Sequence, residues 1–129
     1  MSDGRRKAQP ILRGRLWIEW SGKPALTEAG ADLLEQIQAC GSLSEAARRL
    51  GFGYRRAWTL VDAMNRRWPR PLVATATGGK RGGGSRLSEL GQAVLDAYRS
   101  AQVEAEAFLD RAAIDLAARL GGAMNTDSD

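Results

Sequence analysis

The sequence contains no histidine and a single cysteine, Cys40. Without histidine, the chain lacks the commonest general base and the commonest protein ligand of zinc and copper. This composition excludes Ser/His/Asp and Cys/His catalysis. No carboxylates cluster at the spacing of an oxygen-ligand metal site. We therefore predict that the chain is not an enzyme, with no catalytic residue, no metal site and no cofactor.

Long apolar runs are also missing. No run of about 18 apolar residues could cross a bilayer, and residues 1–11 form a basic, polar tail that does not resemble a signal peptide. One cysteine cannot form an internal disulfide, which fits a reducing compartment. A single domain in the cytoplasm, with no membrane partner and a flexible N-terminal tail, is expected.

Positive charge is concentrated between Gly41 and Arg86. This segment holds ten Lys and Arg residues against Glu45 and Asp62, a net charge of +8, whereas the whole chain carries +4. The remainder is therefore net negative. A local excess of this size favours a polyanion as the partner.

The first half of the chain shows alternating and then helical periodicity. Residues 12–20 alternate, with Leu16, Ile18 and Trp20 on one side, and predict a strand that ends in a turn over residues 21–24. Thr27 is a candidate N-cap for a helix over residues 28–39, which Gly41 would terminate.

Two further helices follow across a glycine turn. Ser42 and Glu45 form a capping-box pattern that opens a helix over residues 43–49, ended by Gly51. The next helix is predicted over residues 54–68, before Pro69. Its inner stripe is predicted to comprise Ala57, Trp58, Val61 and Met64/Asn65.

A strand over residues 72–75, a glycine-rich loop and a return strand at residues 86–87 complete the pattern. The loop is not a P-loop, because Lys80 is followed by Arg81 where that motif requires Ser or Thr. The predicted fold is mainly α with a small β wing, a winged helix-turn-helix over residues 12–88.

The last helix is predicted over residues 89–122, ending at Gly121-Gly122, with residues 123–129 disordered. Its apolar or small residues recur at spacings of four and three, which is typical of a heptad seam. We expect this helix to form a homodimer; alternatively, it simply covers its own domain. The predicted dimerisation residues are Val94, Tyr98, Ala101, Ala105, Phe108 and Ala112.

Candidate DNA contacts lie at helix starts and in the wing. Arginine near the start of a recognition helix can pair with guanine or with a phosphate, and helix N-termini attract phosphate. Double-stranded DNA is therefore the expected partner. The predicted contact residues are Ser44, Tyr54, Arg55, Arg56, Thr59, Lys80, Arg81 and Arg86.

Over roughly residues 28–110 the sequence resembles the N-terminal DNA-binding domain of the molybdate-responsive ModE regulators, which are related to LysR-type winged helices. The motifs that carry the resemblance are Gly41-Ser42-Leu43-Ser44 with Ala46-Ala47, Gly51 with Tyr54 and Ala57-Trp58, Met64-Asn65, Leu72-Val73 with Ala76-Thr77-Gly78-Gly79-Lys80 and Gly82-Gly83-Gly84, and Leu87-Ser88 with Gly91. Two positions depart from the family. Gly53 stands where Ser or Thr is usual, and Arg81 makes the loop more basic.

The resemblance implies a homodimeric transcription factor on a palindromic operator, with Tyr54, Arg55, Arg56 and Lys80 at the DNA. The 129 residues leave no room for the family's C-terminal molybdate-binding domains, so a stand-alone form is expected, with molybdenum genes as candidate targets. An unidentified effector or protein partner stays open. The alternatives are a non-specific or architectural DNA-binding protein, and a winged-helix module that binds another protein.

Overall fold

The computed structural model describes residues 9–75 and 84–125. The chain divides into two compact units. One unit comprises residues 16–100, whose described part contains two hairpins and three short helices. The other brings residues 9–15 together with residues 101–125. The last helix begins in the first unit and ends in the second.

A β-hairpin opens the first unit. Strand β1 (Ile18–Trp20) pairs antiparallel with β2 (Lys23–Leu26). The φ angles of Ser21 and Gly22, 51° and 78°, are those of the two-residue loops that join tightly paired strands. The predicted four-residue turn is therefore wrong at Lys23 and Pro24, which already belong to β2.

Helix α1 (Glu28–Cys40) has the predicted cap at each end. The Thr27 hydroxyl accepts a hydrogen bond from the Gly30 N–H at 3.1 Å. At the other end Gly41 adopts φ 71° and donates its N–H to the Ile37 carbonyl. Local capping chemistry thus sets the limits of α1.

Helix α2 (Leu43–Leu50) also follows its sequence signals closely. The Ser42 hydroxyl accepts from the Glu45 N–H at 3.1 Å, and Gly51 ends the helix with φ 73°. The other half of the predicted capping box is absent, because the Glu45 carboxylate accepts from Arg48 and Arg49 instead.

Helix α3 (Tyr54–Arg67) ends just before Trp68 and Pro69, one residue earlier than predicted. Ala57, Val61 and Met64 are buried, as the helical period predicts. Trp58 was predicted to be on the same inner face, but 54% of its surface is exposed. The stripe of small and medium side chains is narrower than predicted, and Trp58 lies beside it rather than in it.

The wing is a two-stranded sheet of β3 (Val73–Thr75) and β4 (Ser85–Leu87), with Val73 opposite Leu87. Its predicted strands are confirmed to within one residue at each end. The glycine-rich loop between them lies outside the described residues.

Helix α4 (Glu89–Asn125) begins after Ser88, whose hydroxyl makes hydrogen bonds that hold the start of the helix. The Ser88 hydroxyl donates to the Pro71 carbonyl at 2.7 Å and accepts from the Gly91 N–H at 3.0 Å. The helix continues through Gly121 and Gly122, where it was predicted to end. It continues because neither glycine adopts the left-handed φ that ends α1 and α2. Residues 123–125, predicted as disordered, are therefore helical.

The core of the first unit gathers side chains from all its helices. Its largest fully buried members are Tyr98, Leu26, Leu33, Leu34, Ile37 and Leu72. The hydroxyl of Tyr98 donates to the Leu16 carbonyl at 2.7 Å, and burial raises its pKa. Val94 and Tyr98, predicted as dimerisation residues, are 7% and 2% exposed, and pack inside their own protomer because the apolar face of α4 covers this core.

An ion-pair cluster joins the start of α4 to α1. The Arg99 guanidinium lies 2.9 Å from Asp32 Oδ1 and 2.6 Å from Glu35 Oε1. Burial disfavours the charged form of Arg99, but the hydrogen bonds to the two carboxylates raise its pKa overall. This cluster helps fix the start of α4 against α1.

In the second unit, the N-terminal residues lie along α4. A Cβ built on Gly14 would lie 3.5 Å from Leu109 Cδ1. Residues 9–12 line a cavity together with Asp110, Ala113 and Ile114. Residues 9–11, predicted as flexible tail, thus have neighbours on α4, and residues 1–8 lie outside the described part.

Candidate nucleic-acid interface

The turn between α2 and α3 holds the two helices in a helix-turn-helix arrangement. Ala46, Ala47 and Ala57 are buried, and such small side chains allow helices to approach closely. The Phe52 N–H donates to the Ala47 carbonyl at 2.9 Å across the turn. The close packing and this hydrogen bond therefore hold the exposed start of α3 against α2.

The first turn of α3 differs from those of α1 and α2. Each of the earlier helices has a hydroxyl cap and an acidic residue in its first turn. Helix α3 has Gly53 at its cap without a side-chain hydrogen bond, and no acidic residue in its first turn. Arg55 and Arg56 stand there instead, although cations are unfavourable near a helix N-terminus. The positive end of the α3 helix dipole and its free N–H groups are therefore not compensated by a side chain, and a bound anion would compensate them.

The two arginines have different local settings. The Arg56 guanidinium lies over the Phe52 ring, 4.2 Å from its centroid, which limits the directions it can take. Arg55 is exposed. Within the described residues neither arginine pairs with a carboxylate. Both charges therefore remain available to an external anion.

The neighbouring polar candidates are exposed. Tyr54 is 57% exposed at the start of α3. Thr59 is exposed, but its hydroxyl donates to the Arg55 carbonyl at 2.9 Å, so its methyl group is the part left for contact. Ser44 is exposed near the start of α2, 3.4 Å from the Ser42 hydroxyl. All three side chains are exposed to solvent.

The predicted wing contacts are only partly described. Arg86 is exposed on β4, opposite Ala74 on β3. It lines a shallow concavity at the base of the wing with Gly41 and Thr75. Lys80 and Arg81 lie outside the described residues.

Several other cations of this segment are already paired. Glu45 accepts hydrogen bonds from Arg48 and Arg49, and the bond from Arg48 is the main reason that the pKa of Glu45 is lowered. On α3, Arg66 pairs with Asp62 at 3.0 Å. Among the described residues Arg55, Arg56 and Arg67 of α3 have no carboxylate partner, and the first two lie at the N-terminal end, where recognition helices reach bases.

The predicted dimerisation residues do not share one environment. Val94 and Tyr98 are in the core, as described above. Phe108 is 59% exposed, Ala101 is exposed, and Ala105 and Ala112 are partly buried. Only the part of the seam in the second unit is available to another chain.

The sequence is similar to those of several known proteins. The chain is 37% identical over 97 residues to the molybdenum transport protein ModE of Azotobacter vinelandii, covering 75% of this chain and 36% of that protein. It is 44% identical over 66 residues to the transcriptional regulator ModE of Haemophilus influenzae, which is 51% of this chain and 26% of the relative. The DNA-binding transcriptional dual regulator ModE of Escherichia coli is 40% identical over 77 residues, 59% of this chain and 29% of that regulator. No protein-family model matches.

The chain carries a ModE-type domain. It spans about a third or less of the length of the curated relatives that it matches. Within residues 9–75 and 84–125, no helix is long and apolar enough to cross a membrane. The same residues contain no group of three or more His, Cys, Asp or Glu side chains placed to hold a metal ion.

The structure adds one candidate to the interface of the ModE-type domain that sequence reasoning missed. Trp58 lies beside the predicted contact residues on α3 and is 54% exposed. Its place in an apolar run next to Ala57 suggested the core. The available signal was its spacing of four residues from Tyr54, which puts both aromatic rings on one side of the helix.

Proposed function

We propose that this chain is a sequence-specific, DNA-binding transcriptional regulator that inserts α3 into the major groove. The first turn of α3 carries the proposal, because it combines two unpaired arginines with a cap that lacks a side-chain bond and with no acidic residue. The names of the relatives support it, since two of them are called transcriptional regulators and one of these is called DNA-binding.

In this proposal the N-terminal half of α3 lies in the groove. Arg55 offers paired N–H donors to a guanine edge, and Arg56, held over Phe52, reaches a phosphate or a second base. In the C-terminal half of α3, Asp62 pairs with Arg66, and its negative charge would repel phosphates from that part of the helix. The contacts to bases are therefore expected from residues 54–59.

Contacts to the DNA backbone come from the flanking elements. Ser44 and the start of α2 face a phosphate on one side of the groove. Arg86, together with Lys80 and Arg81 of the loop, supplies the wing contacts. Each phosphate neutralised releases counterions, so the affinity should fall steeply as the salt concentration rises.

We further propose that the regulator is a homodimer on a palindromic operator. In the second unit α4 exposes four large apolar side chains: Val103 (67%), Phe108 (59%), Ile114 (73%) and Leu120 (40%). Covering such residues with a second copy would remove apolar surface from water. Two copies related by twofold symmetry would read half-sites about one helical turn apart.

Genes connected with molybdenum are the proposed targets. This proposal rests on the printed names of the relatives, which include a molybdenum transport protein and the molybdenum-pterin-binding protein MopA of Rhodobacter capsulatus. An effector or protein partner would supply the signal. No bound cofactor is part of the proposal.

The deciding experiment selects genomic DNA fragments with the purified protein at about 0.15 M salt, where non-specific binding is weak. The Arg55→Ala/Arg56→Ala variant is compared with Arg66→Ala/Arg67→Ala, which removes the same charge from the other end of α3. The first pair should lower operator affinity about a hundredfold or more, since each contact of this kind contributes about tenfold or more. The second pair should change it only a few-fold.

Each alternative has its own outcome. Fragments without a shared motif would indicate an architectural DNA-binding protein, and no recovered duplex would indicate a module that binds another protein. Equal losses from the two arginine pairs would contradict the assignment of the N-terminal half of α3. Sedimentation equilibrium of the wild type checks the homodimer independently, with Ile114→Glu expected to give monomers.

A further inference from the structure

Trp58 and Tyr54 are two exposed aromatic residues on the same side of α3. Trp58 is 54% exposed and Tyr54 is 57% exposed. Their spacing of four residues places them about 40° apart around the helix axis, at about 100° per residue. We call these two residues the aromatic row.

Among the described residues, neither side chain of the aromatic row makes a hydrogen bond, an ion pair or a ring contact. Other half-exposed tryptophans of this protein have partners: Trp17 donates to Glu19 Oε2 at 2.6 Å, and Trp20 packs edge-on against Trp68 with centroids 5.2 Å apart. Within the described residues, Trp58 has neither a hydrogen-bond acceptor nor an aromatic neighbour. An indole exposed in the middle of a helix leaves a large apolar surface in water, which suggests that a partner covers it.

The row lies on the side of α3 that faces the wing. Asn65 is on the same side of the helix, about 20° from Tyr54 at the helical period, and its side chain bonds to the backbone of β3. Arg55 lies about 60° beyond Trp58, toward the outermost face. A groove that accepts Arg55 would therefore bring Trp58 close to the neighbouring base pair.

We propose that Trp58 is a specificity-determining residue that recognises thymine through its C5-methyl group. The inference rests on the proposed function. Of the groups that base pairs present in the major groove, the thymine methyl is the largest apolar one, the cytosine C5–H is smaller, and the N and O groups are hydrogen-bond donors or acceptors. An indole pressed on those polar groups would leave them unpaired and desolvated, at a cost in affinity. Thymine is the base that offers Trp58 the largest apolar contact at the smallest cost of this kind.

The positive charge around the row argues for DNA as the occupant rather than a protein. Arg55 lies beside the row without a carboxylate partner among the described residues, and the first turn of α3 has no acidic residue. Tyr54 adds a hydroxyl at the edge of the same surface, which can reach a phosphate oxygen. The row thus combines an apolar surface with one cationic neighbour, Arg55, and the phenolic hydroxyl of Tyr54.

The test replaces thymine by uracil, which removes only the methyl group, at each position of one operator half-site. Fluorescence anisotropy measures the dissociation constants for the wild type, Trp58→Ala and Trp58→Phe. At one or two positions uracil should weaken wild-type binding about fourfold, the value of one buried methyl group. Trp58→Ala should show no loss at those positions, and Trp58→Phe an intermediate loss. Trp17→Ala, at a similarly exposed site, should behave as the wild type does.

The outcomes separate this inference from the proposed function. If the wild type binds its operator but uracil has no effect at any position, the inference is wrong and the regulator proposal stands. Equal uracil effects in the wild type and Trp58→Ala would also refute it. If the wild type prefers no sequence, both proposals fail. Circular dichroism verifies that the variants fold. For variants that bind weakly, a lower salt concentration raises the affinity enough for the dissociation constant to be measured.

Discussion

The side-chain amide of Asn65 pairs with the backbone of Val73 as a neighbouring strand would. Its Nδ2 donates to the Val73 carbonyl at 3.1 Å, and its Oδ1 accepts from the Val73 N–H at 3.1 Å. The same Oδ1 accepts from the Leu72 N–H at 2.8 Å. A single residue of α3 thus fixes the first strand of the wing, and with it the distance between the proposed recognition helix and the wing.

Asn65→Ala is expected to lower the free energy of unfolding by about 3 kcal/mol, because it leaves three partly buried backbone groups without their partners. The neighbouring change Arg66→Ala removes an exposed ion pair and should cost less than about 1 kcal/mol. Urea denaturation followed by circular dichroism measures both values. Equal values for the two variants would show that the amide does not hold the wing.

Gly91 is required by the close approach of α4 to the residue before β3. A Cβ built on Gly91 would lie 2.1 Å from the Leu72 carbonyl oxygen, far inside contact distance. Since that oxygen belongs to the backbone, it cannot turn aside as a side chain can. Gly91→Ala should therefore destabilise the first unit by about 3 kcal/mol or more.

Gly121 provides the matched control in the same helix. A Cβ built there meets nothing within 4 Å. Gly121→Ala should keep the melting temperature or raise it, since alanine is favoured over glycine in a helix by about 1 kcal/mol. Thermal melts of the two variants measure the difference. A mild effect of Gly91→Ala would mean that α4 can shift away from Leu72.

The elements of the fold that depend on local chemistry could be predicted from the sequence. Thr27 and Ser42 cap α1 and α2, and Gly41 and Gly51 end them, within one residue of the predicted limits. Each signal acts over three or four residues, so no knowledge of the tertiary structure is needed.

The features that depend on distant neighbours could not be predicted. The helical period gives the order of side chains around the axis, but not the width of the face that the core buries. The sequence therefore predicts Trp58 in the core, although it is exposed. Val94 and Tyr98 fit a heptad seam equally well, yet the core of their own protomer buries them. The bonds of Asn65 join α3 to a strand that follows several residues later, which no local pattern indicates. The DNA contacts remain predictions.

The buried hydroxyl of Tyr98 should make stability depend on alkaline pH. Burial raises its pKa, and the negative charge of Glu28 acts in the same direction. The fold therefore favours the protonated phenol. This contribution is complete below about pH 10, the pKa of a free tyrosine, and is lost as the pH rises through the higher folded-state value.

Tyr98→Phe removes this contribution together with the hydrogen bond to Leu16, which should cost about 1 kcal/mol at neutral pH. As the pH rises above about 10, the gap in unfolding free energy between the wild type and Tyr98→Phe should narrow, whereas it should stay constant at lower pH. Denaturant titrations at fixed pH values give the gap. Tyr54→Phe, at an exposed site, is the control, and a gap that stays constant would exclude this role for Tyr98.

Substitution of Gly53, the N-cap of α3, tests directly whether the first turn of α3 binds a DNA phosphate. Gly53 has no Cβ neighbour within 4 Å and a φ of −67°, which any residue can adopt. Gly53→Asp would add both a capping oxygen and a negative charge beside Arg55 and Arg56. The folded protein should gain about 0.5–1 kcal/mol.

The same substitution should weaken operator binding about tenfold or more, because the new carboxylate repels phosphate and competes for the two arginines. Gly53→Ser supplies a capping hydroxyl without charge, so it should stabilise α3 by a few tenths of a kcal/mol and leave the affinity nearly unchanged. Urea titrations and anisotropy on the same samples give both quantities. If Gly53→Asp stabilises the fold and binds the operator as tightly as Gly53→Ser does, the first turn of α3 does not meet the DNA.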